Sequence, residues 1–375
     1  MSRQIRAAIA VEHDQPLRVE TVTLRAPGPG EVLVQLKASG LCHTDLSVIS
    51  GAFPSPLPTI LGHEGAGVVV ETGAGVTAVA AGDPVVVNNF PHCGRCRGCR
   101  SGRTNFCEAV RELARTPSPF TWRGEPLNRM SQAASFATHT VVRADQVTPI
   151  PASVPFASAA LVPCGVLTGL GAVRHRADVE PGSSVVVFGL GSIGLNVVQA
   201  ARISGAARIV AVDTNPAKLR LGREFGATDV VDASGPASPS DVAASDAMAV
   251  TRQVKQLLAG PADFAFECVG DTGLIEQALA LVNPYWGVCV AVGIAPHDQR
   301  ISLPASSFHL GRSLLGTSIG DGNALVDIPL ALGWYADGSL KLDELVTHRF
   351  GLDEINDGVD ALVSGRAVRP VVLYE

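Results

Sequence analysis

Four cysteine thiols within fifteen residues are the first feature of this sequence that could bind a metal ion. They follow the spacing C-x2-C-x2-C-x7-C and are Cys93, Cys96, Cys99 and Cys107. Short spacings let soft thiolates converge on one tetrahedral ion, and four protein ligands leave no position for a substrate. The pattern predicts a structural zinc site. Unligated thiols and an iron–sulfur cluster are the alternatives, although nothing else in the chain indicates electron transfer.

A glycine-rich turn is the second feature with a chemical use. It matches G-x-G-x-x-G, follows an apolar run at Ser184–Phe188, and consists of Gly189, Leu190, Gly191, Ser192, Ile193 and Gly194. Glycines there allow a tight turn and close approach of a pyrophosphate, which the N–H groups of the following helix would bind. The context therefore predicts a dinucleotide site.

An acidic residue, Asp213, ends the next apolar run nineteen residues after Gly194. A carboxylate at this place accepts hydrogen bonds from the adenosine ribose and repels the extra phosphate of NADP, which favours NAD. Lys218, one turn further on, is within reach of the same ribose. The alternative is a glycine turn in a nucleotide-free sheet, with Asp213 as a capping residue.

Three further metal-ligand residue types are dispersed along the chain. Cys42 lies in Gly-Leu-Cys-His-Thr-Asp, His63 in Gly-His-Glu, and Cys164 in Pro-Cys-Gly. A lone cysteine is usually a small buried apolar residue, and a lone histidine is usually an ordinary hydrogen-bonded group. Taken singly, these residues predict nothing specific.

Bulk composition limits the class of protein. The 375 residues are 46% hydrophobic and 17% charged, with a net charge of −6. These values favour a well-buried globular protein and argue against nucleic acid as a partner. The sequence has no signal-peptide pattern, and we find no run that predicts a membrane span. We therefore expect a cytoplasmic protein whose cysteines bind metal rather than form disulfides.

Two patterns of secondary structure position these residues. The first third has short alternating runs separated by Pro/Gly turns, which predicts antiparallel strands. From Ser184 the chain alternates apolar strands with helices, which predicts a doubly wound parallel sheet. Strands are expected at 229–231, 263–267 and 288–292, and helices at Pro216–Phe225, 249–258 and Thr272–Leu281. An exposed loop is expected at 233–247, with the start of the next helix as the alternative for its end.

In this order and over nearly the whole length, the motifs resemble those of zinc-containing medium-chain alcohol dehydrogenases, with long-loop and aryl-alcohol members as the nearest pattern. The resemblance implies an α/β protein: a Rossmann domain at 167–308, and a mainly β, GroES-like catalytic domain at 1–166 and 309–375. The structural zinc lobe would occupy about 90–110. It also implies that Cys42, His63 and Cys164 bind a catalytic zinc, whose fourth position takes water or substrate oxygen.

The same resemblance implies roles for residues around the metal. Thr44 would contact the substrate oxygen and begin a proton relay, Asp45 would orient His63, and Glu64 would lie close behind the metal. A structural ion pair is an equal alternative for Glu64. Ser47 stands where many members have the histidine that ends the relay. Cofactor contacts are implied for His43, Thr168 and Arg369.

We therefore expect an enzyme with two zinc ions per subunit that transfers hydride between a primary or aromatic alcohol and NAD. The alternatives are a thiol-dependent formaldehyde dehydrogenase, a dehydrogenase that holds its cofactor tightly and uses another electron acceptor, and a non-catalytic zinc and nucleotide sensor. The 57 residues from Cys107 to Cys164 are typical of the dimeric long-loop members and favour a homodimer, with a tetramer as the alternative.

Substitutions should separate the two predicted zinc sites. Cys42→Ala should abolish turnover and leave a folded, NAD-binding protein, because its metal is catalytic. Cys99→Ala should instead lower the thermal stability, because its metal organises a lobe with little core of its own. Steady-state kinetics, NAD titration and thermal unfolding measure these effects. Substantial activity in the Cys42→Ala protein would contradict the assignment.

Overall fold

A computed structural model of the chain describes residues 2–235, 243–296 and 298–375. Its contacts divide the chain into two compact units. The first unit contains Met1–Cys164 and Asn323–Glu375, and the second contains Gly165–Gly322. The chain therefore leaves the first unit once and returns to it, as the sequence predicted in outline.

The strands are β1 Arg3–Ala10, β2 Arg18–Leu24, β3 Glu31–Gly40, β4 Thr59–Ile60, β5 Glu64–Thr72, β6 Pro84–Val87, β7 Phe120–Trp122, β8 Glu125–Arg129, β9 His139–Arg143, β10 Val147–Pro149, β11 Ser184–Phe188, β12 Arg208–Asp213, β13 Asp229–Asp232, β14 Phe264–Glu267, β15 Val288–Ala291, β16 Ser313–Gly316, β17 Val346–Gly351 and β18 Arg369–Leu373. The helices are α1 His43–Ile49, α2 Arg97–Arg100, α3 Val110–Leu113, α4 Phe156–Ala159, α5 Leu167–Gly171, α6 Ser192–Ile203, α7 Pro216–Phe225, α8 Ala243–Leu258, α9 Thr272–Leu281, α10 Ala324–Ala336 and α11 Ile355–Val363.

The first unit is mainly β, as expected. One sheet closes into a barrel in the order β1-β2-β7-β8-β4. The β7–β8 hairpin comes from the long segment between Cys107 and Cys164, and it turns at Arg123 and Gly124, both with positive φ. That segment therefore supplies the strands that close the barrel and leave it no free edge.

The other sheet of this unit has the order β10-β6-β5-β3-β18-β17, and β9 also pairs with β3. Strand β3 is the centre of this sheet because it pairs with β5 along its length, with β9 at its start and with β18 at its end. Its aliphatic side chains are buried in one hydrophobic core with those of the barrel. The end of β3, from which the chain continues to Cys42, is therefore held between β5 and β18.

The second unit contains a six-stranded parallel sheet in the order β13-β12-β11-β14-β15-β16. This is the doubly wound order in which a dinucleotide binds at the carboxyl edge of the sheet. The three predicted strands at 229–231, 263–267 and 288–292 are present with end shifts of one residue. The unit continues to Gly322 rather than ending near 308, because β16 pairs with β15 as a sixth strand.

The predicted helices of the second unit are also present. Those at Pro216–Phe225 and Thr272–Leu281 have the predicted bounds, whereas the one expected at 249–258 begins earlier, at Ala243. Seven of the fifteen residues of the loop expected at 233–247 lie outside the described residues, and the last five of the fifteen are helical.

One run of helical turns, Phe156–Ala177, is long and apolar enough to meet the length and composition criteria for a membrane span. This run was not recognised from the sequence. Its most apolar window is 89% buried within the protein. Core helices meet the same criteria, and this degree of burial is what a core helix requires.

Packing of β5 on β3 generates a prediction about stability. A Cβ atom on Gly67 would lie 2.0 Å from the Gln35 carbonyl oxygen, so Gly67→Ala should lower the free energy of unfolding by about 2 kcal/mol or more. Gly333, inside α10, has no atom within 4 Å of its added Cβ. Gly333→Ala should therefore be neutral or stabilising by up to about 1 kcal/mol. Denaturant titration measures both, and equal effects would contradict the packing argument.

Candidate functional site

The ends of three strands bring distant parts of the first unit together. Gly40, the last residue of β3, pairs with Glu64 of β5 and with Val371 of β18. A Cβ atom on Gly40 would lie 2.1 Å from a carboxylate oxygen of Glu64, so only glycine leaves room for that side chain. The register therefore places Cys42, the His63–Glu64 pair and Arg369 beside one another.

Four potential ligand residues converge at this point. One donor atom from each of Cys42, His63, Glu64 and Cys164 lies within 4.8 Å of the other three, and all four residues are buried. Two soft thiolates with an imidazole nitrogen form a donor set that suits zinc, and a carboxylate oxygen is also a known zinc ligand. The donor set thus fits the ion that the sequence predicted, and it includes Glu64.

The carboxylate of Asp45 holds both ligand-bearing segments. It accepts hydrogen bonds from the backbone N–H of Cys42 at 2.9 Å and of Gly62 at 3.1 Å. Its Oδ1 also lies 3.3 Å from Nδ1 of His63, a distance at which the charges attract although the angle is poor for a hydrogen bond. Fixing Nδ1 against a carboxylate leaves Nε2 of His63 for the metal.

A buried ion pair lies next to the ligands. The Arg369 guanidinium is 3.2 Å from the Glu64 carboxylate and donates to the Leu41 carbonyl at 2.9 Å. Both residues are almost completely buried. Burial raises the pKa of Glu64 to about 7, against the opposing effect of the Arg369 charge. An ion pair was one of the two alternatives for Glu64, and the structure contains it. Its partner is Arg369, a residue that was expected to contact the cofactor.

The two thiols of the cluster share a hydrogen bond, and this affects their protonation. Their mutual hydrogen bond lowers the pKa of Cys42 well below the usual thiol value, and the charges of Arg369 and His63 lower it further. The same hydrogen bond, together with burial, raises the pKa of Cys164. The site therefore favours a thiolate at Cys42, which is the form that binds metal.

Helix α1 begins directly after Cys42 and carries two hydroxyl groups. The Thr44 hydroxyl is 3.6 Å from the Cys42 sulfur, and the Ser47 hydroxyl donates to the His43 carbonyl at 3.1 Å. His43 is exposed, whereas Thr44 and Ser47 are partly buried. Of the two hydroxyl groups, that of Thr44 is thus the one in contact with a candidate ligand.

The four-cysteine segment forms a second cluster, in which every sulfur lies within 4.8 Å of the others. Backbone N–H groups of the segment donate to sulfur in sequence, from Cys93 to Cys107, from Cys96 to Cys93 and from Cys99 to Cys96, at 3.3–3.4 Å. The N–H of Cys99 lowers the pKa of Cys96 to about 6. The backbone is therefore already folded to stabilise thiolates, which fits a closed zinc site with four cysteine ligands.

The glycine-rich turn lies where the fingerprint requires, between β11 and α6 in the second unit. Gly189 has a φ of 84°, and a Cβ on Gly194 would lie 1.8 Å from the Gly189 carbonyl oxygen. Gly191 faces open space. The first and third glycines thus serve the fold itself, and the second leaves the surface of the turn accessible to a ligand.

Asp213 connects the end of β12 to this turn. One of its carboxylate oxygens accepts from the Leu190 N–H at 2.7 Å, and the other accepts from the Asn215 N–H at 2.8 Å. Lys218 is in the first turn of α7 and partly buried, and Thr168 is buried in α5. The Asp213 carboxylate therefore ties the end of β12 to the glycine turn.

Sequence reasoning missed two glycines of the metal cluster. Gly40 makes room for Glu64, and Gly62 has a φ of 84° while its N–H binds Asp45. The signals were present as Gly-Leu-Cys and Gly-His-Glu, but a glycine beside a candidate ligand does not by itself show which atom it admits.

Comparison with known proteins agrees with both clusters. Residues 28–152 match the alcohol dehydrogenase GroES-like domain, and residues 192–334 match the zinc-binding dehydrogenase family. The S-(hydroxymethyl)glutathione dehydrogenase of Paracoccus denitrificans is 39% identical over 98% of this chain and 99% of its own length. The chain belongs to the zinc-dependent alcohol dehydrogenase family. The class-3 alcohol dehydrogenase of Cereibacter sphaeroides has the same identity and coverage.

Solved structures place this zinc-dependent dehydrogenase in the same family. An alcohol dehydrogenase zinc-binding domain protein from Burkholderia ambifaria superimposes with a TM-score of 0.92 at 32% identity. The benzyl alcohol dehydrogenase of Acinetobacter calcoaceticus gives 0.89 at 29% identity, and both comparisons cover all of each chain. Zinc and a nicotinamide dinucleotide are the cofactors of the family, and the clusters described above provide for them.

The position of Asp45 generates a prediction about metal retention. Asp45→Asn puts an amide NH2 among N–H donors and removes the negative charge beside His63, so the cluster should bind zinc about 10- to 100-fold more weakly. Metal analysis after dialysis against graded chelator measures the loss, and the four-cysteine site is the internal standard. Asp83→Asn, in an exposed turn where the carboxylate accepts from the Ala80 N–H, is the control. Retention of two zinc ions at every chelator level would contradict the role.

The two later glycines of the fingerprint should behave differently. Gly194→Ala should lower the thermal midpoint, because the added methyl group meets the Gly189 carbonyl. Gly191→Ala should leave the midpoint unchanged, because its backbone suits alanine and the space is open. It should nevertheless weaken NAD binding by about tenfold or more, because a methyl group there obstructs the pyrophosphate. Calorimetric unfolding and NAD titration test this, and unaltered NAD affinity in Gly191→Ala would count against it.

Proposed function

We propose that this enzyme oxidises a primary or aromatic alcohol to its aldehyde, and catalyses the reverse reaction, with NAD(H) as the hydride carrier. The observation that carries the proposal is the convergence of Cys42, His63 and Cys164 with Glu64 in one buried cluster. Three ligands, two thiolates and one imidazole, leave the fourth position of a tetrahedral zinc ion for substrate oxygen. The Glu64 carboxylate does not fill that position in this proposal, because it is paired with Arg369.

In this proposal Cys42, His63 and Cys164 hold the catalytic zinc, and Asp45 orients His63. Zinc bound there supplies Lewis acidity, which lowers the pKa of an alcohol or polarises a carbonyl group. Arg369 keeps Glu64 behind the ligands by the ion pair of 3.2 Å. The Glu64 carboxylate could thus coordinate the zinc ion when its ion pair with Arg369 opens. The predicted contact of Arg369 with the cofactor phosphates stays a prediction.

The hydroxyl groups of α1 are proposed to move the alcohol proton. Thr44 would accept it at Oγ1, which lies 3.6 Å from the Cys42 sulfur and so beside the substrate position. Ser47 would end the relay toward solvent, since it is on the same helix one turn later and already donates to a backbone carbonyl. A hydroxyl cannot store a proton near neutral pH, so water must take it onward.

The cofactor is proposed to bind with its pyrophosphate at the glycine turn of residues 189–194, and its nicotinamide would supply the hydride acceptor. Gly189, Gly191, Ser192, Ile193 and Gly194 would surround the pyrophosphate, while Asp213 and Lys218 would contact the adenosine ribose. The Asp213 carboxylate favours NAD over NADP by charge repulsion. His43 and Thr168 are proposed as further contacts of the cofactor.

A thiol-dependent formaldehyde dehydrogenase is the second candidate. Curated relatives from Paracoccus denitrificans and Escherichia coli are named S-(hydroxymethyl)glutathione dehydrogenases and are 38–39% identical over almost the entire chain. The enzyme would then oxidise the hydroxymethyl adduct of a small thiol with the same zinc and NAD apparatus.

We also propose a homodimer in the cytoplasm. In the second unit Tyr285 and Trp286 stack on each other and are about 60% exposed, and Leu310 is 57% exposed. Exposed apolar groups of this size beside the edge strand β16 favour association of two copies. All eight cysteines are free thiols, which is typical of a reducing compartment.

Substrate kinetics on zinc-analysed protein test the proposal. Benzylic and short primary alcohols should be oxidised with NAD, and NADP should be used far less efficiently. Formaldehyde oxidation that occurs only when glutathione is added, and exceeds the rate with every free alcohol, would establish the second candidate instead. Absence of turnover with every substrate, in protein that binds zinc and NAD, would overturn both.

A further inference from the structure

Residues 131–136 of the first unit, which the proposed function does not use, have an unusual backbone. Three of them have positive φ although none of the three is glycine: Ser131 at 50°, Gln132 at 57° and Ala134 at 51°. This left-handed conformation is costly for a residue with a side chain, so it persists only where surrounding contacts impose it. Thr140 makes one such contact, because its hydroxyl donates to the Ala133 carbonyl at 2.6 Å. Packing rather than local preference therefore shapes this segment.

The end of the 131–136 segment contacts the backbone that precedes His63. The Ser135 N–H donates to the Gly62 carbonyl at 3.0 Å. The next N–H group, that of Phe136, donates to the carbonyl before it, at the same distance. A Cβ atom on Gly62 would lie 2.5 Å from the Phe136 ring and 2.6 Å from the Ser135 hydroxyl. The segment therefore packs directly against the turn that leads into His63.

Both polar backbone groups of Gly62 are thus held. Its N–H donates to the Asp45 carboxylate at 3.1 Å, and its carbonyl accepts from Ser135. That carbonyl belongs to the peptide unit that ends at the Cα atom of His63, and a peptide unit is planar and stiff. A shift of Ser135 would therefore move the backbone of His63, and with it the imidazole ring.

Ser135 is itself held by Tyr374, the residue that follows β18. The Tyr374 side chain is buried, and its hydroxyl donates to the Ser135 carbonyl at 2.5 Å. The Tyr374 N–H donates to the Lys37 carbonyl in β3 at 3.1 Å. The Ser135 hydroxyl lies 2.7 Å from that of Ser39, which is also in β3. Tyr374 and Ser39 therefore attach Ser135 to the central strand of the sheet.

The surroundings of Tyr374 keep its hydroxyl in the donating form. Burial raises the pKa of the phenol against the opposing effect of a hydrogen bond with Ser39, and the negative charge of Asp45 raises it further. A neutral phenol retains the proton that it donates to the Ser135 carbonyl. The hydroxyl is therefore a constant donor at neutral pH.

We propose that Tyr374 is a positioning residue for His63 in the candidate catalytic metal site, acting through Ser135 and the Gly62 carbonyl. This inference rests on the proposed role of His63 as a zinc ligand. Asp45 holds the N–H side of Gly62, and Tyr374 supports the carbonyl side of the same residue. A side chain that touches none of the ligands thus contributes to the metal affinity and to the geometry of coordination.

Tyr374→Phe tests the proposal, because it removes the hydroxyl and keeps the ring. The variant should bind zinc at the Cys42–His63–Cys164 site about three- to tenfold more weakly, a smaller loss than the roughly 10- to 100-fold typical of residues that contact a ligand directly. Metal analysis after dialysis against graded chelator measures the loss. The four-cysteine site, which has no contact with Tyr374 among the described residues, is the internal standard.

Cobalt(II) in place of the catalytic zinc gives a readout that a purely structural role would not change. Zinc has a filled d shell and no visible absorption bands, whereas the bands of cobalt(II) depend on the positions of its ligands. These bands should shift in Tyr374→Phe, because His63 approaches the ion from a changed direction. Tyr335→Phe is the matched control. Its hydroxyl donates to Asp343 at 2.9 Å in the same unit, and its removal should leave the metal affinity and the cobalt spectrum unchanged.

An unchanged cobalt spectrum and metal affinity in Tyr374→Phe would overturn the inference, even if the thermal midpoint of the variant falls. Equal effects of the two tyrosine variants would overturn it as well. His63→Ala separates this failure from that of the proposed function. If the metal content and cobalt spectrum of His63→Ala equal those of the wild-type protein, then His63 is not a ligand and the proposed site itself is wrong.

Discussion

The register of β3 against β5 and β18 is the constraint on which the candidate metal site depends. Gly40 pairs with Glu64 on one side and Val371 on the other, so three segments far apart in sequence end at one point. A slip by one residue would turn every side chain to the opposite face. The close contact between Gly40 and the Glu64 carboxylate admits no such slip, because any larger residue would overlap that carboxylate.

The charged side chains of the candidate metal site are buried, so each of them needs a partner. Asp45, His63, Glu64 and Arg369 are all nearly inaccessible to water. An unpaired buried charge costs several kcal/mol, whereas each of these groups faces a partner of opposite charge or a backbone N–H group. The network therefore orients the ligand residues through contacts that do not involve the metal itself.

The sequence predicted local features well and distant ones only by resemblance. The four-cysteine segment and the glycine turn are read from spacing, because all their residues lie on one short stretch. Cys42, His63 and Cys164 converge through strand register, which spacing cannot reveal. The unit boundary near 308 was wrong, since β16 carries too little periodicity to be recognised as a sixth strand. The ion pair of Arg369 with Glu64 joins residues about 300 positions apart, and nothing local indicates it.

Cys164 is the last residue of the first unit, and the chain next enters the second. Its sulfur meets that of Cys42, about 120 residues earlier. An ion bound by both residues would act as a reversible cross-link that closes a very large loop, and such links restrict the unfolded chain more as the loop lengthens. The catalytic metal would thus also stabilise the folded protein, because it would lower the conformational entropy of the unfolded chain.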